Sequence, residues 1–280
     1  LVFGSTGQVS TELAKLPGTV CLGRAMADLS DPAACAEAIH THKPNTVINA
    51  AAYTAVDRAE DEEELATVIN GHAPAAMAAA CAELGIPMVH ISTDYVFNGT
   101  VTKTWQPLES TDLLWAYGRS KLIGETGVRT SGATFAILRT SWVFSAYGAN
   151  FVKTMLRLGA DRDALTIVAD QIGGPTPAAD IAAACHSMAT QLMRTPEASG
   201  TYHFSGGPDC SWADFARAIF EVAGIDCAGR DITTADYPTP AARPANSRMD
   251  CASLTDTFGI ARPDWRAGLI DTIKTLEATS

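Results

Sequence analysis

The sequence predicts an α/β fold, a doubly wound parallel sheet followed by a smaller C-terminal region. Over the first half of the 280 residues, short apolar runs alternate with Ala-rich stretches of helical length. That is the pattern of βαβ units whose strands are buried on both faces. The first apolar run passes directly into a glycine turn. From about Trp142 the texture changes to helical stretches separated by loops that contain Gly-Gly-Pro and Tyr-Pro-Thr-Pro, as a second, less regular region would read.

Strands are expected at residues 1–3, 19–22, 46–49, 88–91 and 134–138. A helix opens near Gly7, a second after Ser30-Asp31-Pro32, where Asp caps and Pro occupies the first turn, and a long one covers 62–84. In the second half, helices are expected at 150–158, 178–193 and 212–223. Residues 1–145 read as the dinucleotide-binding part and 146–280 as mainly substrate-binding, with a late strand at 201–204 able to rejoin the main sheet. The chain opens at Leu1, three residues before the turn, so its first strand is expected to be clipped in this numbering.

Totals exclude several classes of function. Apolar residues make up 47% and charged residues 18%, an ordinary globular balance. A net charge of −11 speaks against a broad cationic face for nucleic acid or anionic membrane. Seven cysteines, with no C-x-x-C pair, support neither a disulfide framework nor a zinc ribbon. No apolar run is expected to reach the ~18 residues of a membrane span, and no basic segment precedes an apolar core, so the expected compartment is the cytoplasm. The acidic run 60–64 reads as a solvated first turn, and His40 and His42 fall on different helix faces, so no metal site is expected.

Leu1-Val2-Phe3-Gly4-Ser5-Thr6-Gly7-Gln8-Val9 is a strand running into a phosphate-binding turn. Glycines admit unusual backbone angles and close approach to a pyrophosphate, and the following helix offers its N-terminus. At the first strand of a βαβ series, this marks a Rossmann dinucleotide fold. Ser10 stands where a third glycine is common, and its small side chain still lets helix and strand pack. After the second strand comes Gly23-Arg24 and no acid. An arginine there can accept a 2′-phosphate, so NADPH is preferred and NADH possible; the alternative for Arg24 is an exposed loop side chain. Asp28 is expected to accept from the adenine amino group.

Tyr117 and Lys121 stand four apart, on one face of a helix. Reducing a ketone requires a proton for the oxygen, and a phenol of pKa ~10 becomes a useful acid-base beside a cation. Some two dozen residues earlier, the strand Val89-His90-Ile91 ends in Ser92-Thr93-Asp94. Ligands of doubly wound folds sit beyond such strand ends, where Thr93 can donate to a carbonyl oxygen as charge develops.

These motifs, with Asn49-Ala50-Ala51-Ala52-Tyr53-Thr54-Ala55-Val56-Asp57, Arg139-Thr140-Ser141-Trp142-Val143-Phe144, the block opening at Asn150, Asp170-Gln171-x-Gly173-x-Pro175-Thr176 and Arg243-Pro244-x-Asn246-Ser247-Arg248, make the chain resemble the dTDP-4-dehydrorhamnose reductases, extended short-chain dehydrogenases. The likeness runs in order from Leu1 to about Leu276. It implies reduction of dTDP-4-dehydro-L-rhamnose at C4, with Tyr117 the proton donor, Lys121 its partner and Thr93 the tuning hydroxyl. Gly4, Gly7, Gln8, Val9, Arg24, Asp28, Leu29, Ala51, Ala52, Tyr53 and Thr54, with Tyr117 and Lys121, are expected to line the cofactor, and of these the resemblance implies Gly7 to Val9, Asp28, Leu29 and Ala52 to Thr54. Ser92, Thr93, Asp94, Tyr117, Trp142 and Asn150 meet the sugar nucleotide, and Arg248 clamps its diphosphate or else makes a surface ion pair. Gly23 departs from the acid often found in the family. Ala179 stands where an acid is expected in relatives bridged by magnesium, so no bridge is expected, and a monomer or weak homodimer follows. Two rivals are a non-catalytic regulatory subunit like that of methionine adenosyltransferase, against which the Tyr117, Lys121 and Thr93 set argues, and a reductase or epimerase of another nucleotide sugar.

Overall fold

The computed structural model describes residues 1–112 and 115–279. Its first half contains β1 (Val2–Phe3), α1 (Gln8–Leu13), β2 (Cys21–Leu22), α2 (Pro32–His42), β3 (Val47–Asn49), α3 (Glu63–Thr67), α4 (Ala73–Leu84), β4 (Met88–Thr93), α5 (Ala116–Thr130) and β5 (Phe135–Thr140). The second half contains β6 (Val143–Phe144), α6 (Phe151–Ala160), β7 (Ala164–Val168), β8 (Ile172–Gly173), β9 (Thr176–Pro177), α7 (Ala178–Leu192), β10 (Gly200–His203), β11 (Cys210–Ser211), α8 (Trp212–Ala223), β12 (Ala228–Ile232), β13 (Asn246–Ser247), α9 (Ala252–Phe258) and α10 (Trp265–Thr279).

Six strands form one parallel sheet in the order β10-β5-β4-β3-β1-β2. From β1 the chain steps to β2 on one side and then returns to β3 on the other. The strand order therefore reverses between β1 and β3, which in open α/β sheets opens a crevice beyond the strand ends. Alternation explains why these strands read as unbroken apolar runs. Val2, Ile48, Val89, Ala136 and Leu138 face the layer of α1 and α7, whereas Phe3, Val47, Met88 and Ile137 face α2, α4 and α5. Asp31 caps α2 by accepting from the Ala34 amide at 3.0 Å, with Pro32 in the first turn.

The expectation that no run is long enough for a bilayer needs correcting. A π-helical turn at Val68–His72 joins α3 and α4, and the continuous helix, Glu63–Leu84, is 22 residues long and apolar enough to cross one. Its alanines raise the hydropathy, and half of it is buried, with Ala73, Met77, Ala78, Ala80 and Cys81 packed beneath the sheet.

Beyond β5 the chain builds a second core between α6, α8 and α10 around Phe144, Phe215, Phe220 and Trp265. A parallel β7-β12 ribbon and a β11-β8-β13 sheet edge this region. By contrast, α7 and α9 pack on the main sheet, which β10 extends. The sequence expectations missed the two-residue strands β6, β8, β9, β11 and β13, whose length carries no periodicity.

Candidate active site

A cleft of about 1620 Å³ runs along the carboxyl ends of β1, β3, β4 and β5 and continues between α6 and β7. That exceeds the roughly 300–1,000 Å³ of a single small-molecule site and leaves room for two ligands end to end. The turn after β1 forms its floor. Gly4 has φ +111°, a conformation closed to other residues, and Gly4, Gly7, Gln8 and Val9 all line the cleft. Ser10 is fully buried where α1 meets the sheet, as a small residue there should be.

At the β2 end, Arg24, Asp28 and Leu29 line the cleft. Arg24 Nε donates to Asp28 Oδ2 at 2.9 Å while its side chain is 80% exposed. Hydrogen bonding from the Ser30 amide, then from Arg24, holds the Asp28 carboxyl down at about 2. Asp28 thus stays ionised and pairs with Arg24 on the cleft wall. Along β3, Ala51, Ala52 and Thr54 line the wall and Tyr53 does not. The Tyr53 amide donates to Asn70 Oδ1 at 2.8 Å and its phenol to Glu62 Oε2 at 2.6 Å, which turns the ring toward α3. The phenol of Tyr53 is thus engaged by Glu62, outside the cleft lining.

Tyr117 and Lys121 are carried on the first turns of α5, which presses against the end of β4. A Cβ on Gly118 would stand 2.3 Å from the Tyr95 carbonyl oxygen, so only glycine lets the helix come this close. Tyr117 packs edge-on against Tyr95, ring centroids 5.5 Å apart. Burial, and next the charge of Asp94, push its phenol above the ordinary range, while hydrogen bonding with Thr93 pulls the other way. Lys121 is buried and donates to the Ile91 carbonyl oxygen at 2.7 Å. Burial lowers its ammonium to about 8, opposed by the charge of Glu125. An ammonium has three donors, so two remain for a ligand.

Thr93 Oγ1 accepts from the Tyr95 amide at 3.2 Å and donates to Asp94 Oδ1 at 3.1 Å. Asp94 is fully buried and also accepts from Ser247 Oγ at 2.5 Å; burial raises its carboxyl to about 6. On the adjacent strand ends, the hydroxyls of Ser92, Thr140 and Ser141 are buried without a partner among the described residues. All three side chains belong to the cleft wall. Such groups are costly to leave unpaired, which marks a place where polar ligand atoms belong.

The far wall is aromatic. Trp142 has φ +50°, an outlier for a bulky residue, and stacks on Trp212 with centroids 3.6 Å apart. Asn150 reaches the cleft, but its amide caps α6. Its Oδ1 accepts from the Lys153 amide at 3.1 Å, and its Nδ2 donates to Gln8 Oε1 at 2.9 Å and to the Ser145 carbonyl oxygen at 2.8 Å. Asn150 thus joins α1 to α6 at the cleft wall.

Arg248 also departs from expectation. It lies outside the cleft lining and its Nη1 donates to the Thr102 carbonyl oxygen at 2.9 Å. Ser247 gives its hydroxyl to Asp94, whereas Arg248, just past the end of β13, reaches the Thr102 carbonyl oxygen instead. Arg243, which was not among the expected site residues, does line the wall; its Nη2 donates to Asp57 Oδ2 at 2.7 Å. Among the described residues no three His, Cys, Asp or Glu side chains converge as metal ligands.

Comparison with known proteins finds relatives over almost the whole chain. The family model described as the RmlD substrate binding domain matches residues 1–278. A dTDP-4-dehydrorhamnose reductase from Sinorhizobium fredii is 43% identical over 274 residues, 94% of this chain and 93% of that protein. The crystal structure of a dTDP-4-dehydrorhamnose reductase from Clostridium acetobutylicum superposes with a TM-score of 0.91 at 36% identity, over 99% of this chain and 98% of that one. The Bacillus anthracis enzyme, solved in complex with NADP, gives 0.90 at 34% identity, over 98% of both chains. With a glycine turn, a Tyr-x-x-x-Lys pair and a strand-end hydroxyl on one cleft, this chain belongs to the dTDP-4-dehydrorhamnose reductase family.

Proposed function

We propose that the protein is an NADPH-dependent reductase that converts the C4 keto group of dTDP-4-dehydro-L-rhamnose to the alcohol of dTDP-L-rhamnose, the last step in supplying that activated sugar. One observation carries the reading: Tyr117, Lys121 and Thr93 open onto the same cleft as the glycine turn. In this reading residues 1–145 hold the dinucleotide and 146–280 mainly the sugar nucleotide.

NADPH suits the residues present, because the turn leaves its backbone open to the cleft and Arg24 offers a cation at the β2 end. Bound there, the cofactor would supply the hydride for the carbonyl carbon. Gly4, Gly7, Gln8 and Val9 would flank its pyrophosphate, with Ala51, Ala52 and Thr54 opposite, and Lys121 would use its two free N–H groups on the ribose. Tyr117 gives its proton to the carbonyl oxygen. Its raised pKa keeps the phenol protonated at neutral pH, and an alkoxide is a strong enough base to take that proton. Thr93 and Asp94 hold the phenol's surroundings polar; Ser92 and Trp142 meet the sugar nucleotide.

The family assignment and the retained Tyr117, Lys121 and Thr93 favour this enzyme over a regulatory subunit. All seven cysteines are free thiols, which suits a cytoplasmic enzyme. Its partners in this reading are small molecules, and the chain works as a monomer or weak homodimer without magnesium.

The test is NADPH oxidation at 340 nm with dTDP-4-dehydrorhamnose beside other 4-keto nucleotide sugars. Turnover fastest with the first supports the reading, and no turnover with any ends it. Replacing Arg24 by Ala should shift the ratio of kcat/KM for NADPH over NADH toward NADH by about tenfold or more, the worth of a charged hydrogen bond. An unchanged ratio would assign Arg24 to the loop surface.

A further inference from the structure

Behind Lys121 lies a buried charge cluster that the proposed chemistry does not use. Glu125 follows Lys121 by one helical turn on α5, and neither side chain reaches solvent. Arg139, from β5, grips the Glu125 carboxylate bidentately, Nε to Oε1 at 2.8 Å and Nη2 to Oε2 at 2.7 Å. Arg129, one turn further along α5 and one-third exposed, also pairs with it. Two groups come from β4: His90 beside the cluster and Asp94 at the strand's end. His90 Nδ1 accepts from Asn49 Nδ2 at 3.2 Å, and burial, with the charges of Lys121 and Arg129, keeps the ring neutral. Asp94 is committed to Thr93 and Ser247.

We propose that Glu125, braced by Arg139, is a positioning residue for the reduction: its buried carboxylate, one helical turn away, keeps the Lys121 ammonium charged beneath the cleft. This rests on the proposed reductase reading. Arg139 and Arg129 pair with this carboxylate, and Lys121 stands one helical turn from it on the same face of α5. An arginine does not give up its proton in a protein and a buried lysine does. With Glu125 neutralised, Lys121 is the group that yields. It would then lose its charge and one of the two N–H donors left for a ligand. Burial already lowers Lys121 to about 8, and Glu125 is what opposes that.

The test is the Glu125→Gln variant of the full chain, saturated with NADPH and carrying ε-13C lysine, with the Lys121 resonance assigned by Lys121→Arg. Its titration should fall by about one pH unit or more from that of the wild type. Correspondingly, kcat/KM relative to wild type should be about tenfold lower at pH 9 than at pH 6.5. A purely structural Glu125 would lower stability and leave both readouts where they are, which overturns the proposal. Should Glu125→Gln not fold, Arg129→Gln at the rim serves in its place. It leaves the carboxylate less neutralised, so the Lys121 titration should rise, and no movement overturns the proposal equally. The resonance needs no turnover, so a wild type that reduces no 4-keto sugar would sink the reductase reading while this titration still gave its answer.

Discussion

Replacing Tyr117 by Phe should lower kcat by about 10²–10⁴, the usual worth of a positioned general acid, with little change in KM for NADPH. The substitution removes one oxygen. The ring remains packed edge-on against Tyr95 and within the buried group of Ala59, Ala66 and Ala116, so the fold around it keeps its contacts. An interaction made only as charge develops on the substrate oxygen shows itself in kcat and kcat/KM together. In the proposed mechanism Thr93 survives to donate to that oxygen and sets the residual rate. Measuring kcat by NADPH oxidation and NADPH affinity by fluorescence separates the outcomes. A fall of less than tenfold would remove Tyr117 from the role of proton donor. A collapse of cofactor affinity with kcat intact would make it a binding residue.

The sheet was legible because its strands are buried on both faces, and such strands cannot hide in a sequence: Val2-Phe3, Val47-Ile48 and Met88-Val89 are apolar at every position. The pairing of Tyr117 with Lys121 was legible because helical spacing puts both on one face whatever the surrounding fold does. Where the site depends on tertiary register, the sequence is silent. Ser247 and Arg248 differ by one position, yet the first reaches Asp94 on the cleft wall and the second the Thr102 carbonyl oxygen outside it, and nothing local separates them. Arg243 and Asp57 are 186 residues apart and join through two loops, so no local pattern announces them. Tyr53 was misplaced for a similar reason, since Asn70 and Glu62 turn its backbone and ring away. The motif Arg139-Thr140-Ser141-Trp142 was seen, but its arginine was not expected to be the most deeply buried cation of the molecule's catalytic side. A charge in an apolar strand carries no sign of its partner, and the partner here sits on α5.

That partnership makes the largest expected effect on stability. Replacing Arg139 by Met should destabilise the protein by about 3–5 kcal/mol, the cost of leaving a buried charge without its counterion. Arg139 is 1% exposed, donates to the Pro107 carbonyl oxygen at 3.1 Å as well as to Glu125, and lies 5.0 Å from the Phe97 ring centre. Methionine can refill that volume but cannot neutralise Glu125, which keeps only Arg129 at the rim. A double replacement, Glu125→Met with Arg139→Met, should recover much of the loss, because a buried pair replaced whole costs far less than one broken. The pH dependence supplies an independent sign. Burial alone would raise the Glu125 carboxyl, but hydrogen bonding and charge from Arg139, then the charge of Arg129, outweigh it and hold it below the ordinary range. In the wild type this contributes stability above the unfolded glutamate pKa of about 4.3, and it is lost as pH falls through the folded value. Without Arg139, burial prevails and the folded pKa rises above 4.3, so the variant's stability is favoured at low pH and lost as pH rises through that value. The gap between wild type and Arg139→Met should therefore narrow steadily as pH drops from 7 toward 4 in urea unfolding. A gap that stays constant across that window would mean that Arg139 stabilises the fold through packing against Phe97 and Pro107, with its charge contributing nothing.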